Sequence, residues 1–302
     1  MRELRLSLGF KESDIVSMKF GFIAGKPQKS FECLAKRAAL RGHEVEHIPL
    51  ADMPLSLSGV TAFVNSCAAN YDALHYYAGL ADPIGIAFGQ VCDDLGIPLL
   101  NNRSRVPHLT HNKMFQTLSF SRAGLPIPAT EFTRSPDWET LSSKLGNPVV
   151  AKRVRGTHGD HVHIIRSQED LSVVEGPSDY LFQEYLPHRN DVRVLVLEGN
   201  AICGYRRVPA EGDFRANLAR GGYAEPLADD GEKDTVFRLA EAAVTAMPHD
   251  LAGVDIIKSE TDGQYRLIEI NTNPSWYGIA ESANTQFEDI LLDTYEALAA
   301  KR

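Results

Sequence analysis

Two runs of strand-forming residues, VDIIKSE from Val254 and QYRLIEIN from Gln264, flank the turn signal TDG and read as one hairpin. The constraint on the fold is that this hairpin carries acids where a core would take apolar side chains. Taking Asp262 as the centre of a three-residue loop, with Gly263 supplying the positive φ that such a loop needs, Asp255 comes opposite Glu269. Asn271 shares the face of Glu269 because side chains alternate along a strand. Like charges directly opposite one another destabilise a sheet unless a cation or a shared proton compensates them. An all-oxygen Asp, Glu, Asn set suits a hard cation such as Mg²⁺. Two other readings stand beside it: a proton-sharing acid/base pair, or a register one residue off that leaves Asp255 in solvent.

The rest of the chain surrounds this hairpin with ordinary globular material. A length of 302 residues at 43 % hydrophobic content supports two or three compact units. The formal net charge of −9 offers no broad positive surface for a phosphate backbone and argues against nucleic acid as a partner. Cys33, Cys67, Cys92 and Cys203 lack CxxC spacing, so neither a zinc site nor a disulfide framework is indicated, and a reducing cytoplasm is expected. No apolar run approaches membrane-spanning length, and MRELRLSLGFKESD does not read as a signal peptide.

Residues 1–17 read as an N-terminal extension. From Met18, MKFGFIAG reads as a strand and PQKSFECLAKRAALRG as a helix; HEVEHIPL, VTAFVNS, the helical DPIGIAFGQVCDDLG and the strand-like IPLLNN continue the alternation. This predicts a small parallel α/β domain over 18–105, without a GxGxxG fingerprint. A small α+β unit is expected over 106–182, with helices from Asn112 to Gly124 and over PDWETLSSKLG, then two strands in NPVVAKRVRGTHGDHVHII. The remainder, 183–302, reads as hairpins turning at Gly199-Asn200 and at TDG, with helices over DTVFRLAEAAVTAM and EDILLDTYEALAA.

If a cation sits at the hairpin, a polyphosphate is its natural co-ligand, and candidate anion holders follow. Lys152 lies on the face that Val150 and Val154 otherwise make apolar, ahead of the glycine-containing loop RGTHGD; a snorkelling lysine at an ordinary turn is the alternative. Lys113 falls in the first turn of a helix, where a cation opposes the dipole unless an anion lies beside it, or unless it is merely solvated. Arg206, Arg207, Arg215 and Arg220 cluster with Asn217 in YRRVPAEGDFRANLARGG, as carboxylate or phosphoryl recognition requires, or as a solvated loop would allow. HGDHVH, with His158, Asp160, His161 and His163, lacks a complementary metal-ligand set and is expected to line or cap the phosphate loop.

The order Asn112-Lys113, VVAKRVRGTHG, FQEYL, DVRVLV, RRVPAEGDFRANLARGG, GVDII, LIEINTNP resembles the ATP-grasp carboxylate–amine ligases, most closely the RimK-like group. The resemblance covers about residues 98 to 285. It implies an ATP-grasp fold, two α+β subdomains clasping ATP, preceded by a parallel α/β domain. It further implies that Lys113 and Lys152 bind nucleotide phosphates, that Glu184 and Tyr185 lie at the adenine hinge, and that Asp191 contacts the ribose side. Arg215 and Asn217 would lie near the γ-phosphate, Arg207 and Arg215 would neutralise transferring charge, and Asp255, Glu269 and Asn271 would hold Mg²⁺. Two ions are expected, with Mn²⁺ able to stand in.

The implied activity is ATP-dependent amide formation through an acyl phosphate, adding glutamate or another amino acid to a small molecule, peptide or protein tail. A glutathione-synthetase-like or dipeptide ligase is the variant within that chemistry, and a nucleotide-binding regulator without turnover the reading from another class. Partners are then ATP, a carboxylate and an amine, with no nucleic acid and no membrane; a homo-oligomer is compatible with the sequence. The segment SWYGIAES is where substrate contacts are expected.

Overall fold

The structure, a computed structural model, describes residues 16–54, 56–78, 83–105, 111–156, 161–174, 176, 179–209, 222–227, 231–277 and 286–301. The chain divides into two compact units, the first holding the described residues 16–105, 275–277 and 286–301, the second 111–274.

In the first unit the elements are β1 (Lys19–Ala24), α1 (Lys29–Leu40), β2 (Glu44–Pro49), α2 (Leu57–Asn70), β3 (Ala73–Tyr77), α3 (Pro83–Asp94) and β4 (Leu99–Leu100). The strands form a parallel sheet in the order β2-β1-β3-β4, as the alternation of strand and helix predicts. One face buries Ile23, Leu74 and Tyr76 against Val60 and Val64 of α2 and Phe88 and Cys92 of α3. VTAFVNS lies inside helix α2, not in a strand. Val60, Val64 and Cys67 are buried at helical spacing, and the Ser56 hydroxyl caps the helix by accepting from the Gly59 amide at 3.1 Å. The strand that follows, ALHYY, is buried along its whole length, and sequence reasoning did not single it out.

The second unit contains α4 (Lys113–Arg122), β5 (Thr130–Glu131), α5 (Trp138–Leu145), β6 (Val149–Arg153), β7 (Val162–Ile165) and β8 (Tyr180–Glu184). These strands pair antiparallel in the order β5-β8-β6-β7, with Leu141 and Leu145 of α5 packed on Val149, Ala151 and Phe182. A five-stranded antiparallel sheet follows, built from β9 (Asp191–Leu197), β10 (Asn200–Val208), β11 (Tyr223–Pro226), β12 (Leu251–Lys258) and β13 (Tyr265–Asn271) in the order β11-β10-β9-β12-β13. Between β11 and β12 runs α6 (Glu232–Ala246), which buries Val236, Ala240, Ala243 and Val244 against one face of this sheet. The other face is left for polar chemistry.

The terminal helix α7 (Phe287–Ala299), grouped on sequence with residues 183–302, packs in the first unit. Its Tyr295 hydroxyl meets His75 Nδ1 at 2.6 Å, and Phe287 lies against Trp276. Arg37 of α1 donates from Nε to Asp289 at 2.7 Å and Arg41 to Asp293 at 2.6 Å. An amphipathic helix records in its sequence that it has a buried stripe, not which sheet that stripe covers.

The hairpin β12–β13 contains the expected acid pair by a different route. The loop is longer by one residue, spanning 260–263, with the Gly263 amide donating to Ser259 at 2.9 Å and Ser259 to Gln264 at 3.0 Å. Near the turn, Ile256 therefore pairs with Leu267, one residue out of the predicted register. A bulge at Ile268 then restores the register, so that Asp255 faces Glu269. Ile268 and Glu269 are both half-exposed between the buried Leu267 and Ile270.

Candidate active site

Strand alternation assembles the site on the face of the five-stranded sheet that α6 does not cover. Asn271 donates from Nδ2 to Asp255 Oδ2 and to Glu269 Oε1, each at 3.2 Å, so the three predicted cation ligands do converge. Arg193, directly opposite Asp255 on β9, grips it with two bonds of 2.6 Å, from Nε and from Nη2. Arg207, paired in register with Asp191, reaches Asp191 Oδ2 at 2.8 Å and Asp255 Oδ2 at 2.9 Å. Gly253 makes room for this arrangement, since a Cβ there would meet Pro274 Cβ at 2.8 Å and Arg193 Cδ at 3.4 Å. Burial raises the Asp191 pKa well above the usual carboxylate range; Arg207 opposes this and Asp255 adds to it.

Glu269 is balanced from the other side. Lys113 Nζ donates to Glu269 Oε2 at 2.6 Å, and its helix is held in place by Asn112, whose side chain caps the Phe115 amide at 3.1 Å. One turn along α4, Gln116 makes paired 3.0 Å bonds with the Ile270 carbonyl and amide, fixing the helix along the outer edge of β13. The Lys113 amide also donates to the Val154 carbonyl at 2.9 Å, which ties α4 to the end of β6. Burial alone would favour neutral Glu269, but Lys113, helped by Arg193 and Asn271, holds its pKa down at about 2. Burial likewise opposes the Lys113 ammonium, yet Glu269 and Asp255 raise its pKa above the lysine value.

Lys152 stands apart. Among the described residues its ammonium has no carboxylate or hydrogen-bond partner, and it shares the sheet face of Val150, Val162 and Leu181. Burial pulls its pKa down to about 8, with Glu269 opposing and Lys113 reinforcing the shift. A half-buried ammonium that no described carboxylate contacts favours the approach of an anion.

Other predicted residues fall less simply. Glu184 spends one carboxylate oxygen on the Ala129 amide at 2.8 Å, at the end of β8, with Tyr185 next to it. Arg215, Asn217 and Arg220 lie outside the described residues, as do His158 and Asp160. His163 does not line the face of Lys152: it pairs with Ala151, so it lies on the α5 side near Tyr180, with its Nε2 buried and unpartnered among the described residues. His161, at φ 58°, precedes β7 and is not part of it. Sequence reasoning also missed Arg193 and Gln116. An acid pair with no adjacent cation in sequence was the available signal for Arg193, since something must balance it.

The donor set fits a hard cation: two carboxylates and an amide oxygen, available once the Asn271 amide is turned. No group of three or more His, Cys, Asp or Glu side chains suited to a metal occurs among the described residues. No helix among the described residues is long and apolar enough to cross a membrane.

Comparison with known proteins bears on this geometry. The model of the RimK-like ATP-grasp domain matches residues 110–294. A probable alpha-L-glutamate ligase of Aliivibrio fischeri (strain MJ11) is 28 % identical over 299 residues, covering 94 % of this chain and 97 % of the relative. Among solved structures, the ATP-grasp ligase PsnB, complexed with a phosphomimetic variant of its minimal precursor, Mg and ADP, aligns with a TM-score of 0.68 at 19 % identity, covering 92 % of this chain and 98 % of that one. D-alanine–D-alanine ligase from Bacillus anthracis aligns at 0.67 and 18 % identity, covering 94 % and 98 %. Both likenesses are of fold.

Proposed function

The chain belongs to the RimK-like ATP-grasp family, and from that premise we propose that it joins the amine of glutamate to an acceptor carboxylate at the cost of ATP. The observation that carries this reading is the half-buried Lys152 ammonium, without a carboxylate or hydrogen-bond partner among the described residues, in the same unit as the Asp255, Glu269, Asn271 oxygen cluster. A cation of that kind and an oxygen cluster suited to Mg²⁺ are the two halves of a nucleotide triphosphate site.

An acceptor carboxylate oxygen attacks the γ-phosphorus of ATP, the bond to the bridging oxygen breaks, and ADP leaves. The glutamate amine then attacks the acyl carbon, the carbon–oxygen bond to phosphate breaks, and the amine gives up a proton as the amide forms. When bound, Mg²⁺ would neutralise phosphate charge, with Asp255, Glu269 and Asn271 as its holders; we propose two ions, with Mn²⁺ able to substitute. Lys152 and Lys113 hold phosphate oxygens, and Arg207, with Arg215 and Asn217 further along the chain, balances charge on the transferring group. Tyr185, beside Glu184, meets the adenine, and Asp191 the ribose. Glu184 acts through the strand end that it pins to Ala129. Four free cysteines and the ATP requirement support a cytoplasmic setting.

The direct trial is to offer each amino acid with candidate acceptors, including peptides with free C-termini, and to follow ADP release and product mass. Glutamate-dependent ADP release with a product heavier by one glutamyl residue is expected. ADP release that never rises above background with any pair would point to a nucleotide-binding regulator.

A further inference from the structure

The carboxylates that would hold a cation are already engaged by the protein's own donors. Asp255 Oδ1 accepts from Arg193 Nε at 2.6 Å; Oδ2 accepts from Arg193 Nη2 at 2.6 Å and from Asn271 Nδ2 at 3.2 Å, and lies 2.9 Å from Arg207 Nη2. Glu269 Oε1 accepts from Asn271 Nδ2 at 3.2 Å and Oε2 from Lys113 Nζ at 2.6 Å. A carboxylate offers about four lone-pair sites, so three hydrogen bonds and an ion pair crowd Asp255, most of them on one oxygen. A divalent cation at these oxygens has to displace protein donors, and the like charge of Lys113 and the arginines opposes its approach.

The cations around the two acids are held unequally. Arg193 stands directly opposite Asp255 on the neighbouring strand, grips both of its oxygens, and has its stem against Gly253, where a Cβ would meet Arg193 Cδ at 3.4 Å. With that fork alone in place, each Asp255 oxygen keeps a lone pair for a metal. Arg207 has its own partner in Asp191, through Nε and, at 2.8 Å, through Nη2, and only a single contact with Asp255. Lys113 holds Glu269 by one point contact, and its ammonium also donates to the Gly156 carbonyl at 3.4 Å, in the glycine-containing segment after β6. A lysine on a flexible stem can pass from one oxygen to a near neighbour; a planar fork anchored across a sheet cannot.

We propose that Lys113 and Arg207 are exchangeable counter-ions of the candidate cation site: they balance Glu269 and Asp255 until a divalent cation and a nucleotide enter together, then pass to phosphate oxygens, while Arg193 stays on Asp255 as its positioning residue. The exchange rests on the ligase reading above and adds to it an order of binding. A cation alone meets oxygens that protein cations already balance, and a nucleotide alone meets a lysine and an arginine already committed to carboxylates. Arriving together, each ligand supplies the partner that the other displaces, so metal and nucleotide bind with positive coupling. At no stage does a partly buried charge stand without a counter-charge.

Mn²⁺ binding to the full chain without nucleotide, read from the electron paramagnetic resonance signal of the free ion, tests the exchange without any turnover. Lys113→Met, which strips the ammonium from Glu269, should tighten Mn²⁺ by roughly ten-fold, the scale of one charge close by at a partly buried site, while Lys113→Arg should stay near wild type. Adding Glu269→Gln to Lys113→Met should abolish the gain, which locates the ion at that carboxylate. The Lys113→Met chain should also bind ADP with Mg²⁺ more weakly than wild type, so the two affinities move in opposite directions; a merely structural lysine would lower both. Thermal melting of wild type gives a reading free of variants: Mg²⁺ alone should leave the melting temperature unchanged, and Mg²⁺ with ADP should raise it. Mn²⁺ affinity in Lys113→Met equal to or below wild type, a gain that survives Glu269→Gln, or stabilisation by Mg²⁺ alone equal to that by Mg²⁺ with ADP would each overturn the exchange and leave the nucleotide site standing. Failure of Mg²⁺ and ADP together to stabilise wild type would remove the ligase reading, and the exchange with it.

Discussion

Lys152 is a residue at which folding and ligand binding pull in opposite directions. Its ordinary pKa of 10.5 falls to about 8 in the folded chain, so the fold pays for a charged, half-buried ammonium. The penalty is complete below pH 8, where both states are protonated. It fades between pH 8 and 10.5, where only the unfolded chain still holds the proton, and vanishes above. Lys152→Met should therefore stabilise the nucleotide-free protein by up to about 3 kcal/mol at pH 7 in denaturant titrations, with the gain shrinking toward pH 10.5. The same variant should bind ATP at least roughly ten-fold more weakly; a destabilised variant with normal affinity would leave Lys152 a structural residue. At Glu269, substitution by Gln should preserve the circular dichroism spectrum yet cut Mg²⁺-dependent ADP release by at least about a hundred-fold, on the scale of lost metal charge stabilisation. Undiminished release would remove Glu269 from the proposed cation site. Glu269 and Asn271 were legible as one face because of a strand's two-residue period, whereas Asp255 comes opposite Glu269 only because the bulge at Ile268 cancels the extra loop residue. Arg193 was not, since an arginine at one position in a strand reads equally well as a solvated side chain.

Among the elements, the β12–β13 hairpin and α4 decide where the acids and Lys113 meet. The hairpin's polar face was readable, but the longer turn and the compensating bulge at Ile268 were not. Turn residues identify a loop without fixing its length, and a bulge depends on neighbours that lie outside the strand's own sequence. The paired Gln116 bonds to Ile270 are the part of α4 most open to test. Gln116→Ala leaves both peptide groups of Ile270 without that partner and should cost about 1–3 kcal/mol of stability. Because Lys113 precedes Gln116 by one turn, the KM for ATP should rise more than kcat falls. An unchanged KM would mean that α4 is positioned by its apolar packing alone. Helix α2 shows the converse failure: VTAFVNS is too short to display its period, and only the Ser56 cap and the spacing of Val60, Val64 and Cys67 give the helix away.

Across the whole molecule, the boundary the sequence offers is the change near residue 105 from alternating strand–helix segments to an α+β pattern. The return of α7 to the first unit was hidden because it rests on pairings more than 200 residues apart, such as His75 with Tyr295. A chain ending at Tyr277 should therefore expose the first unit to limited proteolysis while leaving 111–274 resistant; equal resistance of both would show that α7 is dispensable to the unit it packs in. The central claim concerns the reaction itself. Its most direct measurement uses an acceptor whose carboxylate is labelled with ¹⁸O, together with ATP, Mg²⁺ and glutamate, and reads the nucleotide and phosphate products by mass. The account predicts ADP together with phosphate carrying one ¹⁸O from the acceptor, in step with the glutamyl product. Formation of AMP, or of unlabelled phosphate alongside the amide, would contradict it.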